Sequence, residues 1–243
     1  MVSNYFWLPA PRPAARFRLY CLAHAGAGAS AFGRWGSAAP RDIEIAAIQL
    51  PGREARMDEE PFRRFADAAQ RIGEAIAGAD TRPLALFGHS AGAKLAAHVA
   101  LRLQATRHRP RRLFISAGPI SVAPDTWLHR LDGAHFSAAV SRKFGALPPE
   151  ITADPELWQL FEAPLRADLE ALETDDLTAP HLDMPVTVIS GARDHVAKPA
   201  DLEAWRACAD TVVYASVDAD HYSYRTSPGA YLDVIARQLL APQ

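Results

Sequence analysis

The segment Pro83-Leu-Ala-Leu-Phe-Gly-His-Ser-Ala-Gly-Ala-Lys-Leu-Ala-Ala-His-Val-Ala-Leu-Arg-Leu103 decides the fold. Leu84 to Phe87 are apolar at consecutive positions, as a strand buried on both faces of a parallel sheet requires. The stretch from Ala91 to Leu103 is rich in alanine and leucine and reads as a helix. Between them lies Gly88-His89-Ser90-Ala91-Gly92, a G-x-S-x-G pentapeptide. A strand that turns sharply into a helix through these five residues exposes its serine at the top of the sheet. Gly88 and Gly92 are then needed because side chains there would collide with the neighbouring strand and helix. The letters alone are a weak signal; their place between strand and helix makes it specific.

Outward from this unit, the same alternation recurs. Arg18–Ala23, Ile43–Leu50, Arg112–Ala117, Pro185–Ser190 and Thr211–Val217 read as further strands. Phe62, Phe65, Ala69, Ile72 and Ile76 repeat at steps of three and four, predicting an amphipathic helix over Pro61–Gly78, and Pro228–Leu240 carries a similar stripe. Strands alternating with helices mean βαβ units and a doubly wound α/β sheet. From Ile120 to Leu182 the rhythm stops. Helices are expected at Ala134–Phe144 and Pro155–Glu173, joined through Pro148-Pro149, with Pro164 kinking or dividing the second. Residues 120–182 are therefore expected to form a helical lid inserted into one domain spanning 1–243.

The 243 residues are 49% hydrophobic and 22% charged with a formal net charge of −2, a globular balance that excludes a disordered or fibrous chain. That charge offers no electrostatic reason to bind nucleic acid or an anionic membrane. Cys21 and Cys208 cannot build a disulfide framework, have no zinc-ligand spacing around them, and are expected as buried thiols. Met1 to Pro13 lacks the pattern of a signal peptide, and no apolar run is long enough to span a bilayer. The expectation is a cytoplasmic protein without a metal.

A serine hydroxyl needs a base to take its proton and a carboxylate to orient that base, and on such a sheet the chain order is serine, acid, histidine. Asp194 follows the strand PVTVISG and His221 follows TVVYASV, 104 residues after Ser90 and 27 after Asp194 respectively. Both lie just past strand ends and reach the edge that carries Ser90. His195 is the rival base, and Asp218 and Asp220 are rival acids too near His221 to reach its far ring nitrogen. His89 is expected to pack away from the nucleophile, His24 to shape its loop, and His98 to share a polar helix face with Lys94 and Arg102. A tetrahedral intermediate needs two N–H donors. Ala91, at the helix start, supplies one, and Ala25, in the small-residue loop after the first strand, is the candidate for the other.

His24-Ala-Gly-Ala-Gly-Ala-Ser30, Gln49-Leu-Pro-Gly-Arg-Glu54, Gly88-His-Ser-Ala-Gly92, Leu147-Pro-Pro-Glu150 and Leu165-Arg-Ala-Asp168 resemble, in this order, the stand-alone type II thioesterases of nonribosomal peptide and polyketide synthase pathways. The resemblance runs from about Phe17 to Leu240. It implies an α/β-hydrolase fold with a helical lid, and hydrolysis of acyl thioesters from the phosphopantetheine arm of acyl or peptidyl carrier proteins, with no cofactor of its own. It assigns Ser90, Asp194 and His221 to the triad and Ala25 and Ala91 to the oxyanion positions. Two positions depart from it: Ala91 stands where a larger residue, often Met, is usual, and Asp220 where Gly precedes the histidine. An acyltransferase or cyclising variant using an acceptor other than water, and a non-hydrolytic carrier-binding subunit, are the alternatives. A monomer is expected.

Overall fold

The computed structural model describes residues 4–79, 81–121, 127–145, 151, 153–178 and 180–241. Seven strands form one sheet: β1 (Phe6–Trp7), β2 (Phe17–Leu22), β3 (Ile43–Ile48), β4 (Leu84–His89), β5 (Leu113–Ser116), β6 (Val186–Gly191) and β7 (Val212–Val217). Their order is β1-β3-β2-β4-β5-β6-β7; β1 runs antiparallel to β3 and every other pairing is parallel. All six predicted strands are present. The two-residue edge strand β1 was not predicted, because two residues followed closely by Pro9 and Pro11 carry no periodicity.

The helices are α1 (Trp35–Ala38), α2 (Phe65–Ala77), α3 (Ala91–Leu103), α4 (Gly133–Phe144), α5 (Pro155–Glu173), α6 (Ser223–Thr226) and α7 (Gly229–Leu239). Every residue of β3 and β4 is buried, and alternate side chains feed opposite faces. Leu84 and Leu86 join one apolar cluster with Ile72 and Ile76 of α2 and Leu95 and Val99 of α3, whereas Ala85 and Phe87 join a second with Trp35, Tyr231 and Ile235. Consecutive apolar residues in these strands thus reflect helices on both sides. Cys21 and Cys208 are free and buried, and burial raises the pKa of both thiols. No helix among the described residues is long and apolar enough to cross a membrane.

Between β5 and β6 the described residues hold a 3₁₀ turn at Leu128–Arg130, then α4 and α5. This insertion has its own apolar cluster, including Leu128, Phe136, Val140, Leu165 and Leu169, with Ala25 packed against it. Ionic contacts anchor its ends. Glu173 accepts from the Leu128 N–H at 3.0 Å and pairs with His129, while Asp175 pairs with Lys94 at 2.9 Å and with His98 at 2.8 Å.

Three expectations are corrected. The helix predicted from Pro61 starts at Phe65, because Arg64 is still extended at φ −140° and ψ 132°. Of the two outcomes expected at Pro164, division is overturned: α5 runs unbroken from Pro155 to Glu173, and the carbonyl that loses its N–H partner belongs to the exposed residue Leu160, where water can serve instead. Lys94 and His98 do not form a solvated face: Lys94 is 1% exposed and both turn inward onto Asp175. The Pro148-Pro149 join and the motif around it lie outside the described residues.

Candidate active site

Six parallel strands deliver their carboxyl ends to one edge, so the loops after β2, β4, β6 and β7 converge there. Ser90 is the residue between β4 and α3. Its φ of 56° and ψ of −123° are strained for a side-chain-bearing residue, and strain of this kind is held in place by surrounding structure at functional turns. The Ser90 N–H donates to the Ser116 carbonyl at 2.8 Å and its carbonyl accepts from Ala93 at 2.9 Å. The flanking glycines are required by contact: a Cβ on Gly88 would stand 2.2 Å from the Gly92 carbonyl, and one on Gly92 2.3 Å from that of Ala23.

Asp194 and His221 meet across the ends of β6 and β7. His221 Nδ1 lies 2.8 Å from Asp194 Oδ2, with both side chains 1% exposed. The other carboxylate oxygen accepts the N–H groups of Val196 at 2.8 Å and Ala197 at 3.0 Å. Burial works to raise this carboxyl's pKa. The hydrogen bond and charge of His221, with the two backbone donors, outweigh burial and hold it below the usual carboxylate value. An ionised carboxylate only accepts, so Nδ1 carries the proton and Nε2 is left as the basic nitrogen.

Ser90 and His221 line one cavity of about 460 Å³ together with His24, Ala25 and Tyr222. Val140, Phe144, Phe161 and Leu165 of the insertion supply its apolar wall. Such a lining offers apolar surface to an acyl chain beside a few polar groups. In the loop after β2, Ala25 lines this cavity and its N–H is uncommitted among the described residues. Gly26 N–H donates to Asp168 at 2.8 Å and Ala27 N–H to the His24 carbonyl at 3.1 Å, whereas nothing among the described residues accepts from Ala25. Ala91, first in α3, also has no acceptor among them.

The rival residues are engaged elsewhere. His195 is exposed. Asp218 pairs with Arg193, and the exposed Asp220 accepts the Tyr222 N–H at 2.8 Å. Sequence reasoning missed the aromatic bed beneath His221. His89 is fully buried, stacks on Tyr224 at 4.1 Å and lies 3.0 Å from Ser116 Oγ; its ring is also 4.9 Å from that of His221. His24 Nδ1 lies 2.6 Å from the Tyr224 hydroxyl. Burial, reinforced by the charges of Arg225, His221 and Arg53, lowers the pKa of His24 to about 3, and burial likewise lowers that of His89. Both rings stay neutral. Tyr224, three residues past the histidine, gave no signal in the sequence. No group of three or more His, Cys, Asp or Glu among the described residues is placed to hold a metal.

The thioesterase domain family model matches residues 17–239. The chain is 31% identical over 210 residues to the gramicidin S biosynthesis protein GrsT of Aneurinibacillus migulanus, covering 84% of this chain and 81% of that protein. Among solved structures, the RedJ thioesterase of the prodiginine biosynthetic pathway in Streptomyces coelicolor superimposes with a TM-score of 0.83 at 31% identity, covering 98% of this chain and 96% of that one. YbtT, a type II thioesterase from the yersiniabactin NRPS/PKS pathway, gives 0.87 at 27% identity, covering 98% of each chain.

Proposed function

This chain belongs to the thioesterase domain family, with the fold of an α/β hydrolase, and on that premise we propose that it hydrolyses acyl groups from the phosphopantetheine arm of acyl or peptidyl carrier proteins, using Ser90 as nucleophile, His221 as base and Asp194 as its orienting acid. The observation that carries the proposal is the 2.8 Å Asp194–His221 contact, with His221 lining the same apolar cavity as Ser90. The named relatives serve peptide and polyketide-type pathways, which supports a carrier-bound thioester as substrate.

In the first half-reaction Ser90 Oγ attacks the thioester carbonyl while His221 Nε2 takes the hydroxyl proton. The carbonyl oxygen becomes an oxyanion facing the N–H groups of Ala25 and Ala91. The C–S bond then breaks, the sulfur leaves with the proton held by His221, and an acyl-serine remains. In the second half water loses a proton to His221 and attacks that ester, releasing the acid and restoring Ser90. Asp194 holds the tautomer and stabilises the imidazolium in both halves. Nothing in this sequence of steps needs a metal or diffusible cofactor. All the groups come from one chain, so a monomer suffices, and residues 120–182 serve as a lid within a single domain. Two free buried thiols fit a reducing cytoplasm.

A panel of acyl-loaded carrier proteins and small acyl thioesters, assayed with the native protein and Ser90→Ala side by side, tests the reading. Free acid is the expected product, with turnover abolished by the substitution. A dominant amide, ester or new thioester when acceptors are offered points instead to acyl transfer. Equal turnover by Ser90→Ala removes Ser90 as the nucleophile.

A further inference from the structure

Two segments that the sequence singled out, Gln49–Glu54 and Leu165–Asp168, take no part in the proton transfers above. In the fold they meet. Arg53, in the loop after β3, and Asp168, on α5 of the insertion, are 115 positions apart yet form a bidentate pair at 2.6 and 3.0 Å. Their side chains are only 5% and 11% exposed. A buried ion pair is weak evidence for stability by itself, since desolvation offsets the attraction. What distinguishes this one is where its remaining hydrogen bonds go.

Both charges reach into the loop after β2. Asp168 Oδ2 accepts the Gly26 N–H at 2.8 Å, and Arg53 donates to the Ala27 carbonyl at 3.2 Å. Glu54 adds a third grip, accepting from the Ser30 N–H at 3.2 Å and from the Ser30 hydroxyl. It does so from a left-handed backbone at φ 49°, and its carboxyl lies so close over Gly28 that a Cβ there would stand 2.2 Å from Cδ. The loop is therefore fixed on the far side of Ala25 from β2, and Ala25 keeps a free N–H at the cavity. Leu165, one turn before Asp168, lines that same cavity.

We propose that Arg53 and Asp168 are positioning residues: they hold the loop after β2 so that the Ala25 N–H faces the reacting carbonyl, and they make the seating of α5 a condition for a complete oxyanion site. The proposal rests on the assignment of Ala25 as an oxyanion donor. One helix then carries both a wall of the acyl cavity, through Leu165, and the anchor of the donor loop, through Asp168. Filling the cavity and placing the donor become linked events.

A second bridge between the same parts of the chain supplies the control. Arg63 and Glu170 pair at 2.6 Å across the surface, with side chains 57% and 30% exposed, and touch no part of the donor loop. If the segments needed only tethering, the two pairs would be equivalent. Asp168→Asn and Arg53→Lys are each expected to lower kcat per active site by about 100-fold, the scale of a misplaced reacting geometry. KM should change little. Binding of an alkyl boronic acid, which becomes tetrahedral on Ser90, should weaken by a similar factor, while binding of the carboxylic acid of the same chain should not. The double variant should lose no more than the worse single one, and Glu170→Gln should behave as native.

Active sites are counted by titrating each variant to completion with a fluorophosphonate, so misfolded protein does not enter kcat. Arg53→Lys decides the matter if Asp168→Asn does not fold. Native kcat per active site in these variants overturns the proposal. So does equal weakening of boronic and carboxylic acid binding, or a matching loss in Glu170→Gln. If Ser90→Ala is inactive while Asp168→Asn and Arg53→Lys are fully active, this inference alone fails. If Ser90→Ala turns over normally, the reading of the site fails with it.

Discussion

The sheet has a cleft at each end, of about 460 Å³ where the strands finish and about 520 Å³ where they begin. The larger is lined by Arg82, Arg107, His108, Arg109 and Arg111 and is the less apolar of the two; the smaller holds Ser90 and His221 against apolar walls. Strand direction explains the contrast. At the finishing end a helix starts just after β4, presenting free N–H groups to developing negative charge. At the beginning end α3 has just finished, and its carbonyls favour cations such as the arginines that lead into β5. Size does not identify a site. Polarity of the chain does.

The largest test of this contrast is at the nucleophile: Ser90→Ala should reduce kcat on an acyl thioester by about 10⁶-fold, read by release of free thiol. Asp194→Asn, which keeps the shape but offers the wrong tautomer, should cost about 10⁴-fold in the same assay. A loss of less than tenfold in either would break the assignment of the finishing edge as the site. At the other end, reversing charge with Arg107→Glu and Arg111→Glu should leave kcat/KM on a carrier-bound substrate within about twofold, as for surface substitutions away from a site. A drop well beyond that would make the basic run a docking surface for the carrier and erase the contrast.

A smaller effect concerns stability. His24 is held near a pKa of about 3 in the folded chain, against an ordinary value of 6.5 when unfolded. Below pH 6.5 the unfolded chain therefore binds a proton that the folded one refuses, and stability falls as pH drops toward 3. His24→Gln should flatten the plot of urea-unfolding free energy against pH between 7 and 5. An identical slope in both proteins would show that the ring is not held neutral.

How much of this was legible depended on whether the information was local. β3 and β4 announced themselves because burial on both faces makes consecutive residues apolar. Ser90, Asp194 and His221 could be nominated because each follows a recognisable strand. Lys94 and His98 misled because a helix pattern reads charge as solvent-facing, whereas their partner Asp175 lies 81 and 77 residues away. The Tyr224–His89 stack and the Arg53–Asp168 pair are likewise products of the tertiary fold. The two motifs were visible as letters, but their meeting at the donor loop was not.

The central claim is that Ser90 carries the acyl group. Quenching the native enzyme within the first turnover of an acyl-pantetheine thioester, digesting it and weighing the peptides measures this directly. The predicted result is a mass increase equal to the acyl group on the peptide containing Ser90, absent from Ser90→Ala and removed by hydroxylamine. Continued turnover with an unmodified Ser90 peptide at every quench time, and at native rate in Ser90→Ala, would contradict it.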